Sequence, residues 1–259
     1  MAEDILKKLR KAEDGLSTYE YIANNIGNCD ELMPALVENM INVDRNGQFV
    51  VSTARYLHAI DAEKYVYSSE VARRVRNDLK IDKDYVIGHV GRFNPQKNHA
   101  FLLDVFAECV KINANVKLIL VGDGTGKKQI QDKVESLGIK NNVIFMGVRT
   151  DVNELLQAMD VFVFPSLYEG LGISVIEAQA AGLPCVISDC IPDDCIVTKG
   201  LVEKLSLSTP PMQWAQVIMN LRGTYRTNQT RNAGYDILEA TKKLEGFYLN
   251  KYAESKEKE

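Results

Sequence analysis

From residue 85 onward, short apolar runs alternate with longer stretches in which apolar residues recur every three or four positions. Residues 86–90, 116–121, 143–146, 161–164 and 185–188 are dominated by Val, Ile, Leu and Phe. They are too short for buried helices and rich in β-branched and aromatic side chains, so they predict strands covered on both faces. Between them, 100–112, 128–137, 152–159 and 173–181 predict amphipathic helices. This alternation predicts an α/β fold, a Rossmann-like doubly wound parallel sheet. Right-handed crossovers would then bring the loop after every strand to one rim, where such sheets bind ligands. Residues 201–207 predict an edge strand, 211–220 a helix, and 235–253 a long terminal helix ending in solvated charge.

The first 57 residues follow a different pattern. Ile5, Leu6 and Leu9 form an apolar stripe, and Asp30 is placed to cap a helix through Leu32, Leu36, Val37 and Met40. Asn46-Gly47 marks a turn before an extended 48–51, and 54–57 reads as helical. Residues 68–79 predict a charged helix, with Ser69 as cap and Glu70 in the first turn.

Composition narrows the class of protein. Of 259 residues, 46% are hydrophobic and 25% charged, with a formal net charge of −4, which suits a soluble globular chain and gives no electrostatic reason to expect nucleic acid. The charged opening MAEDILKKLRKAEDG has no apolar signal core, and no run reaches the length of a membrane span, so the expected location is cytoplasmic, with peripheral membrane contact left open. Five cysteines, Cys29, Cys109, Cys185, Cys190 and Cys195, form no C-x-x-C pair, so reduced thiols and no metal are expected.

The chemistry gathers around FPSLYEGLGISVIEAQAAG, residues 164–182. A buried strand ends at Pro165 and Ser166, a loop supplies Gly170 and Gly172, and a helix begins, which is the recipe for a phosphate or sugar site. Glu169 in the loop and Glu177 about a turn into the helix frame it. Helical side chains tilt toward the N-terminus, so Glu177 should lean toward that loop. Paired carboxylates also suit a glycosidase. A glycosidase, however, has no use for the cationic loop holding Arg92 and Lys97 after the first strand.

These stretches resemble the E-x7-E motif and the GRF-x-x-QKN loop, here Gly91-Arg92-Phe93-Asn94-Pro95-Gln96-Lys97-Asn98, of retaining glycosyltransferases of the GT-B fold, family 4 (glycosyl transferases group 1). The resemblance covers roughly residues 60 to 250 and corresponds to the C-terminal, donor-binding half of such enzymes. It implies that Arg92 and Lys97 hold the donor diphosphate and stabilise it as it leaves, and that Glu169 contacts sugar hydroxyls. By the same resemblance Glu177 holds the ribose diol, while Gly91, Gly122, Gly147, Val148, Gly170, Leu171 and Gly172 line the donor site. The donor would be a nucleotide diphosphate sugar, guessed to carry UDP, and the product a polysaccharide or glycoconjugate. No further cofactor is implied. His58-Ala59-Ile60-Asp61 followed by Tyr65 resembles the interdomain segment of that family, with His58 standing where Asn is usual.

The expected organisation is therefore a segment of unknown role at 1–57, a hinge and helix at 58–82, the donor-binding domain at 83–234, and a C-terminal helix and tail at 235–259. A separate acceptor-binding domain or chain would be a partner. The alternative is a nucleotide-sugar-binding module without turnover. Gly122-Asp123-Gly124-Thr125-Gly126-Lys127-Lys128 fits neither rival phosphate motif. A dinucleotide fingerprint needs glycine at Lys127, and a P-loop needs glycine at Val121 and Ser or Thr at Lys128. It is expected to be a tight turn with a role in the nucleotide pocket. Arg149 serves equally as part of a base-binding loop or in a salt bridge with Asp151 or Glu154. His89 and His99 are expected to be structural.

Overall fold

The structure, a computed structural model, describes residues 60–221, 235–237 and 242. The expectations for residues 1–59, and for most of the helix at 235–253, lie outside the described residues. The chain divides into two compact units. Residues 64–230 hold the whole described sheet, and residues 1–63 with 231–259 form the other unit. In the latter, Ile60 pairs with Asp236 in an isolated parallel bridge.

Among the described residues six parallel strands make one sheet: β1 (Tyr85–Val90), β2 (Val116–Val121), β3 (Val143–Gly147), β4 (Val161–Phe164), β5 (Cys185–Ser188) and β6 (Val202–Leu205). The described α-helices are α1 (Ser69–Leu79), α2 (His99–Ile112), α3 (Lys127–Ser136), α4 (Val152–Gln157), α5 (Ile173–Ala180) and α6 (Pro211–Asn220). The expected strands all form, with ends displaced by a residue or a few, and β6 is an edge strand as expected. One detail differs: the cap of α1 is Ser68, not Ser69. Ser68 has extended backbone and its Oγ accepts from Val71 N at 3.4 Å, whereas Ser69 already has helical geometry.

Strand order is β3-β2-β1-β4-β5-β6. From β1 at the middle of the sheet the strands build outward to β3, and the chain then crosses back beside β1 to lay down β4. In open sheets such a reversal places a ligand-binding crevice above the carboxyl ends of the two strands that flank it, here β1 and β4. The central strands β1, β4 and β5 are almost wholly buried, as continuous apolar runs require, while β3 and β6 are half-exposed at the edges. One core packs α2 and α6 on the sheet around Phe106, Leu103, Val163 and Trp214. Its polar ends are satisfied: Trp214 Nε1 donates to Ser206 O at 3.1 Å and Tyr85 Oη to Ile218 O at 2.9 Å.

Candidate functional site

The loop after β1, residues 91–98, is shaped by its own residues. Asn94 Oδ1 accepts from Lys97 N at 3.2 Å and caps a short 3-10 turn, Pro95–Lys97, in which proline's missing N–H costs nothing. Asn98 then takes φ 54, a left-handed value that asparagine tolerates better than most residues, and α2 starts at once. Lys97 is thereby set at the inner end of the loop.

The loop after β2 supports it from behind. Phe93 N donates to Asp123 O at 2.9 Å, Gly126 N to Phe93 O at 2.9 Å, and Gly91 N to Val121 O at 3.0 Å. Gly122 has φ 132, and a Cβ there would lie 2.1 Å from Gly91 O; one on Gly124 would lie 2.5 Å from Phe93 O. The expected tight turn is thus a backbone buttress for the cationic loop, and its glycines answer to close approach rather than to any phosphate motif.

Across the crevice stands the loop after β4. Leu167 N donates to Gln96 O at 2.9 Å and the Gln96 side-chain Nε2 to Tyr168 O at 3.0 Å, so one main-chain bond and one side-chain bond stitch the two loops. Lys97 Nζ meets Glu169 Oε1 at 2.6 Å, and Gln96 Nε2 reaches the other carboxylate oxygen at 3.3 Å. The pair is nearly dry, with the Lys97 side chain 16% and the Glu169 side chain 7% exposed. Lys97 also lies 4.8 Å from the centre of the Phe164 ring, a favourable seat for a cation. Gly172, at φ 78, turns the chain into α5, whose leading N–H groups have no acceptor within the helix.

The structure therefore brings Lys97 against Glu169 and beside Gly91, carries Gly170, Leu171 and Gly172 on the same loop as Glu169, and sets Gly122 behind Gly91. Gly147 ends β3 with φ 67 on the same rim, and Val148 beyond it is 79% exposed. Arg149 forms the salt bridge weighed for it, Nη2 to Asp151 Oδ2 at 2.5 Å, which raises its pKa. Arg92 is exposed and takes part in none of the side-chain ion pairs or hydrogen bonds found among the described residues. Glu177 Oε1 accepts from the Tyr65 hydroxyl at 2.7 Å, and burial raises the Glu177 pKa against the opposing effect of that bond. Neither Gln96 nor Tyr65 is among the site residues that the resemblance implies: Gln96 lies inside the GRF-x-x-QKN loop, which signals it, whereas nothing local to Tyr65 points toward Glu177. Among the described residues no group of three or more His, Cys, Asp or Glu could hold a metal ion.

Two buried histidines lie beneath this crevice. Ladder pairing of β1 with β4 ends at Gly88↔Phe162, and one residue on, His89 Nδ1 meets Val163 O at 2.9 Å, so a side chain continues the pairing where the strands part. His89 packs edge-on against His99, with ring centres 4.7 Å apart. Burial and neighbouring Lys97 push His99 down from 6.5 to about 4, and burial carries His89 well below its usual value. Both depressed values mean that the unfolded chain binds more protons between about pH 6.5 and pH 4 than the folded one. Stability is then full above 6.5 and falls as pH drops, by about 3 kcal/mol for His99 alone at the bottom of the window. Urea midpoints at pH 7 and pH 4.5 should show this loss, and His99→Phe should reduce it; an equal drop in the variant would refute the assignment.

The model of the glycosyl transferases group 1 family matches residues 71–211. The EpsF protein of Bacillus subtilis (strain 168) is 36% identical over 209 residues, which are 78% of this chain and 53% of EpsF. UDP-Gal:alpha-D-GlcNAc-diphosphoundecaprenol alpha-1,3-galactosyltransferase of Escherichia coli is 27% identical over 209 residues, 74% of this chain and 53% of that enzyme. The chain spans about half the length of these relatives. Among solved structures, Anabaena HepE in complex with UDP and glucose superposes with a TM-score of 0.63 at 24% identity, over 72% of this chain and 54% of HepE, a likeness of fold. Sheet order, crevice and family match agree: this chain belongs to the glycosyl transferases group 1 family, and its described sheet is the Rossmann-like fold found in GT-B glycosyltransferases.

Proposed function

We propose that the crevice between β1 and β4 binds a nucleotide diphosphate sugar and serves its transfer, with retention, to a hydroxyl acceptor in polysaccharide or glycoconjugate synthesis. The observation that carries this reading is the meeting of Lys97 and Glu169 at the reversal of strand order, beside the start of α5. A cation and helix N–H groups suit a diphosphate, and a carboxylate suits sugar hydroxyls. In this reading the incoming diphosphate takes Lys97 from Glu169, and Glu169 turns to the sugar. Arg92, exposed at the mouth, adds a second cation, and Glu177 accepts from the ribose diol. As the sugar leaves, negative charge grows on the diphosphate, and the preplaced cations stabilise that state more than the ground state.

UDP is the favoured nucleotide, supported by the HepE complex. An acceptor-binding domain, supplied by this protein or another, completes the enzyme, because transfer needs the acceptor hydroxyl held close to the anomeric carbon. Binding decides the donor half of the reading. Calorimetry with UDP, GDP and ADP is expected to give micromolar to millimolar affinity for at least one, about 4 to 8 kcal/mol. Arg92→Ala should weaken that binding about tenfold or more without lowering stability, since the side chain holds nothing else in the fold. No binding to any of the three by the folded chain would sink the reading.

A further inference from the structure

Glu177 is half-buried, its pKa is raised by that burial, and the described residues bring it no ion-pair partner. A lone carboxylate in such a place tends to take up a proton, and a protonated one no longer accepts strongly from two hydroxyls. The Tyr65 hydroxyl opposes this by donating to Oε1 at 2.7 Å. Tyr65 comes from the segment ahead of α1, 112 positions earlier in the chain. That segment is itself pinned. Gln157, a buried amide at the end of α4, donates to Tyr65 O at 3.0 Å and accepts from Ser68 N at 3.0 Å, and Asn153 donates to Lys64 O at 3.2 Å. The clamp spans both sides of Tyr65 and is made to its backbone, while its side chain reaches α5. A phenylalanine would fill the same space but lacks the hydroxyl that donates to the Glu177 carboxylate.

We propose that Tyr65 is a positioning residue of the nucleotide site, holding Glu177 ionised and oriented so that its remaining lone pairs accept from the ribose diol. Tyr65 touches no donor atom in this arrangement and acts through Glu177. The inference rests on the reading of Glu177 as the ribose carboxylate.

The test uses the whole chain, calorimetry with UDP and with inorganic pyrophosphate, and an isotope-edited NMR titration of the Glu177 carboxyl. Tyr65→Phe is expected to weaken UDP binding about tenfold, to leave pyrophosphate binding unchanged, and to have no further effect in a Glu177→Gln background. It should also raise the Glu177 pKa, a readout that needs no ligand. Equal losses for UDP and pyrophosphate, the same loss in the Glu177→Gln background, or an unmoved carboxyl titration would overturn the proposal. If Glu177→Gln leaves UDP binding intact, the ribose reading of Glu177 fails and this inference with it. If Glu177→Gln weakens UDP while Tyr65→Phe does not, only the role of Tyr65 fails.

Discussion

Lys97→Ala is expected to reduce diphosphate affinity about tenfold to a hundredfold while leaving nucleoside affinity nearly unchanged, because a charge-assisted contact of about 1.5 to 3 kcal/mol acts on phosphate alone. The same change should destabilise the fold. Glu169 keeps 7% of its side chain exposed and would lose the partner 2.6 Å away, leaving a nearly dry carboxylate with only the 3.3 Å contact from Gln96. Removing one member of such a pair costs more than the pair contributes, on the order of 3 kcal/mol where burial is deep. The two effects separate in the double variant. Adding Glu169→Gln removes the stranded charge and should restore much of the stability, yet it cannot restore a cation to the phosphates. Calorimetry with uridine and UDP, beside urea denaturation, reads both. Equal losses for uridine and UDP would show that Lys97 supports the fold rather than the ligand.

Gly122→Ala is expected to be the more damaging change to the scaffold, with a loss of roughly 3 kcal/mol or more and with diphosphate binding lost alongside. Two costs add. The backbone sits at φ 132, which a residue with a Cβ rarely adopts, and the new Cβ would fall 2.1 Å from Gly91 O, a main-chain atom that cannot swing away. Relief requires moving the loop after β1, which carries Lys97. Gly138 provides the control: it too is left-handed, at φ 69, but nothing lies within 4 Å of its missing Cβ, so Gly138→Ala should cost only the backbone term, about 1 kcal/mol. Urea midpoints of the two variants decide the matter, and similar losses would mean that contact with Gly91 adds nothing.

Several parts of this protein are legible in its sequence. Apolar runs of four to six residues separated by amphipathic stretches place each strand and helix to within a few residues, because burial of a strand and of a helix face leaves a periodic mark on the local sequence. The glycine loop, the two acids and the two cations could be recognised as a set by their order along the chain. Capping was less secure. Ser68 and Ser69 are chemically equal candidates, and only the point at which the backbone turns helical selects the first.

Partnership was not legible, because it depends on strand order. Periodicity says that β1 and β4 are buried; it does not say that they are neighbours. Their adjacency is what sets Lys97 against Glu169, 72 positions on, and stitches Gln96 to the loop that carries Glu169. The same holds for Gly122, whose need to be glycine arises from a carbonyl in another loop, and for Tyr65, whose hydroxyl meets Glu177 from a segment that α4 clamps. The sequence by itself determined the elements, their order and the chemical types at the strand ends, since these follow from local burial and backbone preference. The tertiary structure decided which of those groups meet, since contacts between distant segments depend on packing that leaves no periodic trace in either one.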